Sequence, residues 1–175
     1  MNRPYPLPFS QPQPKREFFK VVLTRLLSLI LVSSTSITMT HAQSTSNDTD
    51  ETLCFTQNLY FEARSEGREG MIAVGWVVLN RVESDMYPNS VCGVIYDGGE
   101  RPPCEFNWWC DGRSDQPTEP ESWELANQIT RQMLNNPPAD PTDGALWFHM
   151  DSISVPGWLN SRERTLHLGA HYFYK

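Results

Sequence analysis

Apolar positions recur at helical spacing through the first two thirds of the chain from residue 50, and at strand spacing after that. Leu53 to Arg64 predicts a helix with Phe55, Leu59 and Ala63 on one face, capped by Asp50 or Thr52. Ser65 and Gly67 interrupt it. Met71 to Val82 predicts a second helix, apolar on nearly all sides through Met71, Ile72, Val74, Trp76, Val77, Val78, Leu79 and Val82. Such a helix belongs at the centre of a domain. Pro88 and Asn89 begin a short third helix through Val91, Val94 and Ile95, which Asp97-Gly98-Gly99 ends. Arg101 to Gln116 has no helical period and carries Phe106, Trp108 and Trp109 among its cysteines, so it reads as a strand or a stapled loop. Pro120 suits the first position of a fourth helix, Glu121 to Leu134, with Trp123, Ile129 or Thr130, and Met133 inward. Pro137 and Pro138 stop it. The period then changes to two. After the turn Asp143-Gly144, Ala145, Trp147 and His149 alternate with Leu146, Phe148 and Met150. Thr165 to Tyr174 alternates likewise, with Leu166, Leu168, Ala170, Tyr172 and Tyr174 on one side. These predict two antiparallel strands. Helices followed by a small sheet indicate an α+β fold.

The residues ahead of this pattern read as an address. Arg3, Lys15, Arg16, Lys20 and Arg25 precede the short apolar core of Leu26, Leu27, Leu29, Ile30, Leu31 and Val32. Thr40-His41-Ala42 then offers small residues at signal-peptidase spacing. The core is too short to span a bilayer, so residues 1–42 are expected to be a signal peptide and the protein to be exported, periplasmic or in the cell envelope, with no stable membrane span after cleavage. Residues 43–51, rich in Ser, Thr, Asn and Asp, are expected to be a flexible tail, and residues 52–175 one folded domain. Losing residues 1–42 removes those five cations and one anion, Glu17, taking the net charge from −7 to −11. A chain this acidic is a poor partner for nucleic acid or anionic lipid.

Cys54, Cys92, Cys104 and Cys110 remain, an even number in an exported chain, which indicates disulfides. Four cysteines allow three pairings. Cys104 and Cys110 bracket one short turn and are paired, leaving Cys54 for Cys92. A four-cysteine zinc site would want a Cys-x-x-Cys knuckle, which is missing. His167 and His171 are four apart, but on an alternating strand and with no adjoining Glu, so no metal or cofactor is expected.

Five blocks, in order, carry a resemblance. They are Tyr60-Phe61-Glu62-Ala63-Arg64-Ser65-Glu66-Gly67, Ala73 to Val82 with its Val-Leu-Asn-Arg-Val ending, Tyr87 to Tyr96, Cys104 to Gly112, and Gly169-Ala170-His171-Tyr172-Phe173-Tyr174-Lys175. Together they resemble the cell-wall hydrolase family whose best-known members are spore-cortex-lytic enzymes, in its exported, cysteine-bearing branch. The resemblance implies a lysozyme-like fold, helices packed against a small sheet with a cleft between. It implies a lytic transglycosylase or muramidase acting on the glycan strands of peptidoglycan. The family's catalytic glutamate maps onto Glu62, and the second acid of its motif onto Glu66. Position 105 is commonly Gln in the family and here is Glu105; position 107 is commonly Ser and here is Asn107.

The residues alone point the same way. Glu62 follows Tyr60 and Phe61 on an apolar helix, where desolvation keeps a carboxylic acid protonated, and a glycosidase needs such an acid to protonate the leaving oxygen. Four residues apart on a helix, Glu62 and Glu66 would have Cβ atoms about 5–6 Å apart. Both would then point from one wall and could not flank a sugar. Glu62 is therefore the single catalytic acid expected, with Glu66 supporting it, pairing with Arg64 or Arg68, or capping the next helix. Glu105, Phe106 and Trp108 lie in the expected cleft loop and are read as substrate contacts, with Asp111 beside them as another acid. His149 is a cleft hydrogen-bonder or a satisfied core residue. Trp109, Trp147, Trp158 and Tyr172 are further flat faces for sugar rings, while Trp76 and Trp123 are assigned to the core. Two rivals differ in class. An N-acetylmuramoyl-L-alanine amidase usually needs zinc, so a chelator separates it; a non-catalytic glycan-binding module predicts that replacing Glu62 changes nothing.

Overall fold

The structure, a computed structural model, describes residues 44–175; the expected signal segment, residues 1–42, lies outside the described residues. Five helices precede a three-stranded sheet. They are α1 (Ser44–Ala63), α2 (Gly67–Glu83), α3 (Val91–Ile95), α4 (Asn107–Cys110) and α5 (Pro120–Asn135). The strands are β1 (Trp147–Met150), β2 (Arg164–Leu168) and β3 (His171–Tyr174), and a short 3-10 turn, Gly157–Leu159, lies between β1 and β2.

The first helix starts well before Leu53, so the stretch expected to be a flexible tail is helical from Ser44 on. Extending an existing helix costs little per residue, and this polar stretch holds neither Gly nor Pro to stop it. The extension has a partner. The Glu51 carboxylate accepts from the backbone N–H of Val91 at 2.7 Å and of Cys92 at 3.3 Å, completing the start of α3 together with the Ser90 cap. The Cys54–Cys92 bridge fastens the same two helices, and Cys104–Cys110 closes the loop that contains α4. These are the pairs expected from the spacing. By chain entropy the 38-residue separation of the first makes it worth about 3–4 kcal/mol.

As its all-round apolar pattern predicted, α2 is central, with Met71, Ala73, Val74, Val77 and Val78 buried. At Gly75 an added Cβ would come within 3.1–3.3 Å of Met133, Leu59 and Phe55, so a glycine lets α1, α2 and α5 close on one another. The segment read as a strand or stapled loop is a stapled loop, closed by Cys104–Cys110, and it contains one turn of helix with Trp108 and Cys110 buried. Trp76 and Trp123 pack at the edge of the core.

The largest departure is in the sheet. Thr165 to Tyr174 is a hairpin rather than one strand, and the sheet order is β1-β3-β2, all antiparallel. Gly169 has φ +55°, where a non-glycine residue is strained, and it turns the chain between β2 and β3. The turn also inverts the alternation, so that Leu168 pairs with His171 and Leu166 with Phe173. Leu166, Leu168, His171 and Phe173 thus face the helices together with Phe148. Trp147, His149, His167, Tyr172 and Tyr174 share the other face of the sheet, on which His149 and Tyr174 are nonetheless buried.

Candidate active site

Glu62 lies in the last turn of α1, where the helix runs into the loop around Ser65. The residue is half-buried, and burial pushes its pKa up from 4.5 to about 7, against the opposing pull of the Arg81 guanidinium. Among the described residues the carboxyl has no hydrogen-bond or ion-pair partner. An acid desolvated and left unpaired keeps its proton near neutrality and can give it away.

Arg81 is the neighbour that sequence reasoning missed. It is 4% exposed, on the otherwise apolar α2. Its Nε donates to the Leu146 carbonyl at 2.8 Å, and its guanidinium lies 3.1 Å from the Glu105 carboxylate. The Tyr87 ring centre is 4.8 Å and the Phe106 ring centre 5.3 Å away. The signal was present: a cation that follows the apolar run Met71 to Leu79 by two residues must be paired if it is buried. Arg81 brings the end of α1, the last turn of α2, the stapled loop and the start of β1 to one place.

Glu66 is engaged within the protein. Its Oε2 accepts from the Ala170 backbone N–H at 2.8 Å and its Oε1 from the Ser65 hydroxyl at 3.1 Å, so it pins the β2–β3 turn to the helices. It neither caps α2 with its side chain nor pairs with an arginine: Arg64 meets Glu119 at 2.9 Å and Arg68 meets Gln132.

The remaining expected contacts divide by burial. Glu105 is exposed along one edge while holding Arg81. Phe106 and Trp108 are buried, so neither presents a face to a sugar. Trp108 donates from its indole nitrogen to the Asn58 side chain at 2.9 Å and stacks on Phe61 at 5.0 Å, which makes it a support for the segment carrying Glu62. His149 is also buried, its two ring nitrogens 2.7 Å from the Met150 carbonyl and 2.9 Å from the Tyr174 hydroxyl. It is the satisfied core histidine of the two alternatives. Asp111 accepts from the Arg113 backbone N–H and is exposed. Trp109 tilts against Tyr96 at 4.1 Å, and Trp158 is 58% exposed.

The two histidines considered for zinc point away from each other, because the hairpin turn lies between them. His167 faces outward, against Tyr172 and Asp151, while His171 faces Phe148 and the core, where burial lowers its pKa. Among the described residues no cluster of His, Cys, Asp and Glu has metal-holding geometry, and no helix is long and apolar enough to cross a membrane. A shallow depression of about 430 Å³ on α5, lined by Pro120, Glu121, Glu124, Leu125 and Gln128, contains none of the groups around Glu62.

Glu62 is thus an acid of raised pKa at the end of α1, four residues before the Glu66 carboxylate that holds the β2–β3 turn. The chain belongs to the cell wall hydrolase family, whose pattern matches residues 65–174. The matched segment begins just after Glu62, which rests on its own geometry and on the block around it. The spore cortex-lytic enzyme of Bacillus subtilis is 33% identical over 118 residues, 67% of this chain and 35% of that protein. That of Halalkalibacterium halodurans is 32% identical over 117 residues, 67% of this chain and 32% of that protein. The chain thus spans about a third of the length of the curated relatives it matches. Two solved structures are similar. The catalytic domain of the Bacillus cereus SleB protein has TM-score 0.57 and 29% identity, covering 72% of this chain and 91% of that one. The catalytic domain of the germination-specific lytic transglycosylase SleB from Bacillus anthracis has TM-score 0.59 and 28% identity, covering 78% and 100%. The fold is α+β and lysozyme-like, as the resemblance implied.

Proposed function

We propose that this protein cleaves the glycan strand of peptidoglycan between its amino sugars, as a lytic transglycosylase whose single catalytic acid is Glu62, and that it does so outside the cytoplasmic membrane. The observation that carries the reading is the unpaired, desolvated Glu62 carboxyl with a pKa of about 7. In its neutral form it protonates the glycosidic oxygen as the bond to the departing sugar breaks. As a carboxylate it then takes the proton from the 6-hydroxyl of the same muramyl sugar, which closes on the anomeric carbon. The nucleophile is held within the substrate, so proximity supplies what a second carboxylate would otherwise provide. Arg81 stabilises the carboxylate that exists between the two transfers.

The carboxylates nearest in sequence to a second role are otherwise engaged. Glu105 compensates Arg81 at 3.1 Å, and Glu66 holds the Ala170 backbone. In this reading Glu105 contributes to the sugar cleft with its exposed edge, while Glu66, Phe106, Trp108 and His149 support the walls. The amidase alternative lacks a shared ligand pair in His167 and His171, which lie on opposite faces of the hairpin.

Glu62→Gln keeps the shape and removes the proton. Clearing of purified cell walls should fall by about 10²–10⁴-fold while the circular dichroism spectrum stays native. Clearing close to the wild-type rate would remove Glu62 from the mechanism.

A further inference from the structure

The loop after β1 returns to the site at Arg162. Its guanidinium carbon lies 3.8 Å from the Trp147 ring centre. Trp147 is in turn a neighbour of the Tyr87 hydroxyl, and that phenol feels the charges of Arg81, Glu105 and Arg162 together. With Arg81 over the Tyr87 ring at 4.8 Å, a run of neighbours leads from Arg81 beside Glu62 to a cation at the surface.

Among the described residues, Arg162 differs from the arginines that hold a carboxylate. Arg64, Arg81, Arg113 and Arg131 each have a carboxylate at 2.9–3.9 Å. Arg162 has no acidic partner among the described residues, although the sequence holds 21 acidic against 14 basic residues. Stacking on an indole fixes the plane of a guanidinium and leaves its N–H groups free, which suits a bidentate acceptor. An acidic surface repels an anionic ligand, and an uncompensated, oriented arginine reverses that locally.

We propose that Arg162, held flat on Trp147, binds a carboxylate of the stem peptide carried by the muramyl sugar. The inference rests on the glycan-cleaving reading above and adds the part of the substrate recognised beside the scissile bond. The chemistry favours the stem peptide. In intact peptidoglycan the lactyl carboxyl of the muramyl sugar is tied up in an amide, so the free carboxylates belong to the peptide. In amidase-stripped glycan the lactyl carboxylate is exposed instead, and in chitin there is none.

The three polymers separate the sources by co-sedimentation, using Glu62→Gln protein so that nothing is digested. Adding Arg162→Ala should weaken binding to intact walls about three- to fivefold, the range of an exposed ion pair, and the difference should shrink at high salt. Arg162→Lys should recover only part of it, since the planar stack is lost. Arg164→Ala is the control, another arginine with no acidic partner among the described residues, stacked instead on Tyr172. A loss confined to stripped glycan would assign Arg162 to the lactyl carboxylate and overturn the stem-peptide assignment. An equal loss on chitin, an equal loss with Arg164→Ala, or no loss on intact walls would overturn the site altogether. Failure of the glycan-cleaving reading is distinguishable, because it appears as protein with Glu62 intact that leaves walls undigested.

Discussion

At the scale of the residue, the raised pKa of Glu62 has consequences for activity and for stability. As a proton donor it must be neutral, so the rate should decline as pH rises through about 7. Stability follows the same titration. The folded-state pKa lies above the unfolded value of 4.5, so Glu62 costs nothing below that pH, costs increasingly between the two values, and costs in full above about 7. The full cost is roughly 3–4 kcal/mol. Glu62→Gln should therefore be more stable than wild type at pH 8 and barely different at pH 4, which urea melts at the two pH values would measure. An equal difference at both would mean that burial does not set this pKa. Glu105 acts through Arg81. Glu105→Gln leaves the guanidinium without its carboxylate and freer to stabilise the Glu62 anion, so the alkaline limb of the pH–rate profile should move to lower pH. An unmoved limb would leave Glu105 with only its exposed edge to contribute. Glu62 was legible because its block is specific. Arg81 sat in an equally specific block without a role, since nothing in a linear sequence says that Glu105 and Leu146 will converge on it. Phe106 and Trp108 were misplaced for a different reason: an aromatic ring looks the same in sequence whether it offers a face to sugar or supports the segment that carries the acid.

At the scale of the element, the helices other than the single turn α4 were readable from their periods and the hairpin was not. Alternation from Thr165 to Tyr174 continues through Gly169 and Ala170, so a two-residue turn is invisible to a period of two. The glycine was the available signal. Its Cα also lies against the helices, because a Cβ there would sit 1.9 Å from Glu66 Oε2. Gly169→Ala should then cost roughly 2–3 kcal/mol, combining the strain at positive φ with loss of the Glu66–Ala170 hydrogen bond. Chemical denaturation checks it. A cost below about 0.5 kcal/mol, the size of an ordinary surface change, would mean that Glu66 does not pin the turn. The first helix shows the opposite failing. Polar composition alone suggested a tail, but the Glu51 carboxylate at the start of α3 and the bridge at Cys54 give that part of the helix something to hold.

At the scale of the whole molecule, α1 and α2 supply the acid and its cationic neighbour, the stapled loop supplies the compensating carboxylate, and the sheet supplies the opposite support through Leu146 and the Glu66-held turn. The α+β class was legible from the change of period, and the lysozyme-like arrangement from the order of the five blocks. The central claim is that one acid suffices because the substrate brings its own nucleophile. Mass spectrometry of the muropeptides released from purified walls tests it most directly. A transglycosylase leaves 1,6-anhydro ends, one water lighter than a hydrolysis product and inert to borohydride, and these should disappear with Glu62→Gln. Reducing ends throughout would mean that water is the nucleophile and that a second carboxylate, Glu105 first, must be found a role. Free stem peptides beside intact glycan would contradict the account, including the part given to Glu62.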